Sequence, residues 1–262
     1  MAEGALAGIL QRDRAVVLAA LSAVVALAWV YLLLGAGIHI DMMDMGGGQM
    51  MAMAPQWSFG YGAVIFVMWA VMMVAMMLPS AAPVVLLAAA LDRQHGTNPG
   101  RSTLFAAGYL IVWFGFSLAV TALQYALDTA GLLSETMAIA SRLFAAAVLI
   151  AAGIYQWTPL KQACLTRCRS PIELLLRYWR KGSLGAVGAG MQHGAFCLGC
   201  CWMLMALLFV GGVMNLLWIA AIAGFILLEK TLPFAETGGR VAGAAMIVVG
   251  LLSLSGAGPL GT

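Results

Sequence analysis

Long apolar runs with almost no charge inside them constrain this chain more than anything else in it. They cover Ala15–Gly37, Gly60–Leu91, Thr103–Leu127, Met137–Trp157, Leu184–Val210, Val213–Leu232 and Val241–Leu254. A helix needs roughly 20 apolar residues to cross a hydrocarbon core of about 30 Å. The pattern therefore predicts an all-α fold: a polytopic transmembrane helix bundle of about seven spans, or six if the fifth and sixth run together at Gly211-Gly212. With 63% of its 262 residues hydrophobic and 9% charged, the chain lacks the polar side chains to cover a water-soluble globule. No length is left for a separate soluble catalytic domain. Residues 1–262 read as one transmembrane domain, with a Met-rich outer loop at 38–59 and a basic cytoplasmic loop at 161–183. The first run follows Arg12-Asp13-Arg14 and is longer than the apolar core of a cleavable signal peptide, so it reads as an uncleaved span.

Net charge is only +3 and is scattered, which argues against a nucleic-acid partner and makes the charges topology signals. With the amino terminus inside, twelve of the thirteen basic residues fall in inner segments, and only Arg142 falls at an outer end. This bias predicts a cytoplasmic amino terminus and, with seven spans, an outer carboxyl terminus. Glu229-Lys230, near the inner end of span six, is the remaining intramembrane charge. Either Lys230 snorkels to the interface with Glu229 paired to it, or the two serve a function.

Methionine is concentrated in two places. Met42, Met43, Met45, Met50, Met51 and Met53 follow His39 in a flexible, Gly-loosened outer loop with no Lys or Arg. Thioethers remain neutral ligands where thiols are consumed by oxidation, and soft sulfur favours Cu(I), so the loop is expected to capture a soft metal. The second group, Met68, Met72, Met73, Met76 and Met77, lies on span two. At about 100° per residue these side chains form one sulfur-rich face. Such a stripe is commonly plastic core packing. Pro79 and Pro83 follow, interrupting the helix and freeing the carbonyls of Ala75 and Pro79, which is tolerated in lipid only where protein, water or an ion meets them.

The most specific pattern is on span five, where His193, Cys197, Cys200 and Cys201 share an arc of about 100°. Gly190 and Gly194 lie on the same face and allow a neighbouring helix to approach closely. At about 1.5 Å per residue, Cys197 and Met72 both fall roughly 18 to 20 Å into their spans, which suggests a site between spans five and two. Adjacent Cys200 and Cys201 cannot easily close a zinc tetrahedron, so two- or three-coordinate Cu(I) fits better and zinc is the lesser choice. Cys164 and Cys168, at the inner end of span four, are an i, i+4 pair flanked by Lys161, Arg167 and Arg169, cations that favour thiolates. They read as a second soft-metal or redox pair.

The runs MWAVMMVAMMLPSAAP, YQWTPLKQACLTRCRSP and GAFCLGCCWMLMALLFVGGVMNLLWIA, the last followed by LLEK, resemble a family of bacterial integral membrane proteins described as predicted metal-binding and copper-chaperone-like, the domain of unknown function 2182. The resemblance covers roughly Gly60 to Arg240. It implies a bacterial inner-membrane location and metal binding through Cys164, Cys168, Cys197, Cys200 and Cys201 with the Met run on span two. The expected function is non-enzymatic handling of Cu(I) in the bilayer, with delivery to a cuproprotein, a metallochaperone or a larger membrane complex. Two alternatives stay open: a thiol-disulfide oxidoreductase relaying electrons through the buried cysteines, and an accessory subunit of a membrane complex.

Overall fold

A computed structural model of the chain describes residues 2–37, 41–44, 50–53, 56–94, 100–134, 136–170, 172–173, 182–232 and 235–255. Helix α1 (Ala2–Leu33) is followed by a hairpin of β1 (Asp41–Asp44) and β2 (Met50–Met53), then α2 (Phe59–Gln94), α3 (Arg101–Thr129), α4 (Arg142–Tyr155), α5 (Pro159–Arg169), α6 (Ser183–Ala206), the single turn α7 (Leu208–Gly211), α8 (Leu216–Thr231) and α9 (Ala235–Leu254).

The helix starts follow local chemistry. Ser141 caps α4 by accepting from the Phe144 amide, and Asn215 caps α8 by accepting from that of Trp218. Thr158 caps α5 through the Lys161 amide, with Pro159 in the first turn where its missing N–H costs nothing. Gly212, at φ +89°, makes the turn between α7 and α8.

Among the described residues, five helical stretches are long and apolar enough to cross a membrane: Ala15–Leu33, Phe59–Ala90, Arg101–Thr129, Ser183–Gly211 and Glu236–Leu254. The seven expected runs therefore resolve differently from seven equivalent spans. Run four breaks after Trp157, because the Thr158 cap and Pro159 begin a new helix, and α5 turns 62° away from α4. Together that pair would make a sixth crossing. Run six is the 16-residue α8, shorter than a straight crossing requires. The all-α expectation needs one addition, the antiparallel hairpin that sets Met43 opposite Met51. Two short Met-bearing runs around Gly46-Gly47-Gly48 carry that signal.

Helices α3 and α6 form the most extensive interface. It is built on reciprocal glycines: a methyl group at Gly190 would overlap the carbonyl oxygen of Phe105, and one at Gly108 would overlap that of Val187. Helices α4 and α9 pack in the same manner, with Gly153 and Gly243 facing each other's backbone. Small residues allow close van der Waals contact where lipid offers no hydrophobic gain. Some buried polar groups are paired between elements, as where Trp69 Nε1 donates to Gln124 Oε1 at 2.7 Å. Outside the core, Leu27, Leu33, Leu118, Leu143, Leu217 and Val241 are each more than half exposed, giving the bundle an apolar exterior.

Candidate metal centre

The five cysteines, expected as two separate groups, lie together. The turn into α5 folds it against α6. Cys168 is thereby carried into hydrogen-bonding reach of Cys197 and Cys200. Cys197, Cys200 and Cys201 are fully buried on α6, as the shared arc requires. Cys164, half-buried, sits one turn away with its Sγ against Gly199. All five are free thiols.

Helix α2 supplies one thioether directly. Met77 Sδ lies 3.9 Å from Cys201 Sγ. Met68, Met72, Met73 and Met76 are buried in the same core. The helix in the Gly190/Gly194 groove is α3, through Phe105, Tyr109 and Val112, and not α2 as expected. Gly108 explains the choice, since only a helix with its own small residue can pair its backbone so closely with α6. Pro79 and Pro83 do not interrupt α2, which is continuous for 36 residues.

Three residues that the sequence reading assigned no role at the site complete its surroundings. Tyr109 reaches across from α3, with its hydroxyl 3.1 Å from Cys197 Sγ and 3.1 Å from the Met77 carbonyl oxygen. Lys230 extends from α8 to donate to Cys197 Sγ at 2.8 Å and to Ser80 Oγ at 3.0 Å. Ser80 in turn donates to the Met77 carbonyl at 2.8 Å. One ammonium thus touches the thiol cluster, and its side chain is directed inward instead of snorkelling.

Glu229 does not pair with Lys230. One residue along α8 it faces about 100° away, and it accepts from the fully buried Lys161 at 2.6 Å. Lys161 also donates to Gln156 Oε1. A Cβ at Gly239 would come within 2.6 Å of Glu229 Oε1, so α9 closes the pair from the other side. Of the cations beside Cys164 and Cys168, Lys161 is taken up by Glu229 and Arg169 by the Leu232 carbonyl at 2.5 Å, whereas Arg167 lies over the Phe196 ring at 4.9 Å and stays within electrostatic range of Cys164. The cation that hydrogen-bonds a thiol comes from α8.

His193 is buried one turn before Cys197, its ring stacked at 5.9 Å on Phe105 and 5.5 Å on Tyr109. Its Nδ1 makes no hydrogen bond. Met42, Met43, Met50, Met51 and Met53 lie in the hairpin strands, where the backbone alone is described. His39 and Met45 lie outside the described residues.

At rest Cys200 and Cys201 are protonated thiols. Cys200 and Cys201 donate to the Cys197 carbonyl at 3.0 and 2.9 Å, as S–H groups do and thiolates cannot. In keeping with this, among the described residues no three His, Cys, Asp or Glu side chains already surround one metal position. The donor set suits a soft cation, and binding one requires Cys200 and Cys201 to rotate off that carbonyl.

No curated protein and no solved structure matches the chain. The copper chaperone family PpoB2 matches residues 66–253, which include all five cysteines, the α2 methionines from Met68 onward, Tyr109 and Lys230. A match over most of the chain places it in a family, and this protein belongs to the PpoB2 copper chaperones.

Proposed function

We propose that the protein is a membrane-embedded Cu(I) carrier that holds the ion in the sulfur cluster of Cys168, Cys197, Cys200, Cys201 and Met77 and passes it to a partner by ligand exchange. The observation that carries this reading is the convergence of four buried thiols and a thioether from α2, α5 and α6, with one of those thiols, Cys197, accepting from the Lys230 ammonium. Two thiolates, one Cu(I) and one lysine ammonium sum to zero charge. Neutrality matters because an uncompensated ion in a medium of low dielectric is costly. A Zn(II) ion in a four-thiolate shell would leave the same site anionic.

The apolar exterior supports insertion in the bilayer, with the cluster inside the bundle. Arg12, Arg14, Arg93, Arg101, Arg167, Arg169, Arg177, Arg180 and Lys181 support a cytoplasmic amino terminus. Lys161 and Lys230 leave that tally because they serve the interior. On the outer side, Met42, Met43, Met45, Met50, Met51 and Met53, with His39, gather the ion. The face of Met68, Met72, Met73, Met76 and Met77 leads it inward, and His193 flanks the cluster.

The test is copper content after anaerobic loading and desalting. The wild type should retain about one Cu(I) per chain, and the Cys197→Ser, Cys200→Ser, Cys201→Ser triple variant should lose it, because a hydroxyl is a hard, poor ligand for Cu(I). Wild-type copper content in a folded triple variant would show that these cysteines are packing residues.

A further inference from the structure

The thiols are graded from the surface of the bundle to its core. Cys197, Cys200 and Cys201 are at most 1% exposed and Cys168 is 7% exposed, whereas Cys164 is half-buried. Cys164 shares one face of α5 with Cys168. It is within electrostatic range of Cys200 on one side and Arg167 on the other. Inward from it lie Cys168, Cys197, Cys200 and Cys201 in mutual contact, with Cys201 against Met77. The position of Cys164 depends on Gly199, where an added Cβ would come within 2.7 Å of its Sγ. Tyr155 donates to the Gly199 carbonyl and ties that point of α6 to the end of α4. A half-exposed thiol is thus held against a glycine at the edge of a buried thiol cluster.

We propose that Cys164 is the port of the cluster, the thiol at which Cu(I) is exchanged with a soluble thiolate-ligated Cu(I) carrier, and that it is not a ligand of the resting site. This rests on the Cu(I) reading above. An arriving complex RS–Cu–SR carries one negative charge, which the partly exposed Arg167 attracts. Cys164 displaces the first RS⁻, and the Cys164 thiol proton goes to that departing thiolate. Cys200 displaces the second in the same way. Two S–H bonds are broken and two are formed, copper stays Cu(I), and no electron moves. Transfer from Cys164 and Cys200 to Cys168 and Cys197 then repeats the exchange inward, and release to an acceptor runs the series in reverse. At no stage is the ion without a sulfur ligand.

The experiment uses full-length protein in detergent and the Cu(I)–glutathione complex as donor, following copper uptake with time. Cys164→Ser should reach the wild-type copper content but load about tenfold more slowly or worse, since exchange rate depends on access of the attacking thiol. Gly199→Ala, whose methyl pushes the Cys164 thiol away while leaving all five thiols present, should also slow loading without changing the final content. Cys168→Ser should lower the content instead. Loading of Cys164→Ser at the wild-type rate overturns the proposal, and so does a fall in its copper content equal to that of Cys168→Ser, which would make Cys164 a resident ligand. Wild-type protein that takes up no copper overturns the Cu(I) reading and the port with it. A copper-independent check separates the two: N-ethylmaleimide on native protein should modify Cys164 before the other four thiols, and equal labelling of all five contradicts the graded series.

Discussion

Replacing Glu229 by Leu should release α5 and, with it, Cys168. Lys161 is 0% exposed and the Glu229 side chain 3%, and the two meet at 2.6 Å. Removing the carboxylate leaves a buried ammonium with Gln156 as its one remaining partner among the described side chains. Breaking a buried pair from one side costs about 3–5 kcal/mol, whereas replacing both partners with apolar residues of similar volume is commonly neutral or better. For a chain of this size, each kcal/mol moves the melting temperature by about 2–4 °C, so Glu229→Leu should melt on the order of 10 °C lower. The Lys161→Met, Glu229→Leu double variant should recover most of that loss. Circular dichroism melts in detergent measure the stability, and N-ethylmaleimide labelling reads the mechanism. Cys168 should be protected in the wild type, reactive in Glu229→Leu and protected again in the double variant. A Glu229→Leu protein with wild-type melting and a protected Cys168 would refute the view that this ion pair latches α5 into the cluster.

Lys230→Met should weaken Cu(I) binding by about tenfold or more in a competition titration, because the bis-thiolate complex loses its buried counter-charge; tighter binding would instead make Lys230 a competitor for Cys197. Gly190→Leu should separate α3 from α6 and lower the melting temperature, with Tyr109 drawn off Cys197, whereas Gly188→Leu, at a glycine with open space around it, should have little effect. Replacing Met42, Met43, Met45, Met50, Met51 and Met53 by Leu should slow copper uptake at low concentration yet leave protein loaded at high concentration with its copper; loss of all copper would move the primary site to the hairpin.

Much of this structure is written in one-dimensional patterns. Apolar length marks the long helices, Thr158-Pro159 marks the break after α4, and the His193, Cys197, Cys200, Cys201 arc marks the buried face of α6. What the patterns do not carry is which helices become neighbours. Gly190 and Gly194 announce a close partner but not its identity, which rests on Gly108 of α3. The union of Cys168 with the α6 thiols depends on a 62° turn and on an ion pair between residues far apart in the chain, Lys161 and Glu229. A useful signal was nevertheless present: Lys161, Cys164, Leu165 and Cys168 follow the i, i+3, i+4, i+7 spacing of one helix face. Read as a buried face, that pattern puts the lysine inside with the thiols. The sequence leaves Lys230 open between snorkelling and a function, because a lysine near a helix end ordinarily snorkels, and its inward turn is explained only by the thiol and hydroxyl it meets there.

X-ray absorption at the copper edge of anaerobically loaded wild-type protein tests the central claim most directly, since it reports oxidation state and ligand type together. The sulfur-cluster account predicts Cu(I) in a shell of two or three sulfur atoms. A shell dominated by nitrogen or oxygen, or protein that retains no copper, would contradict it.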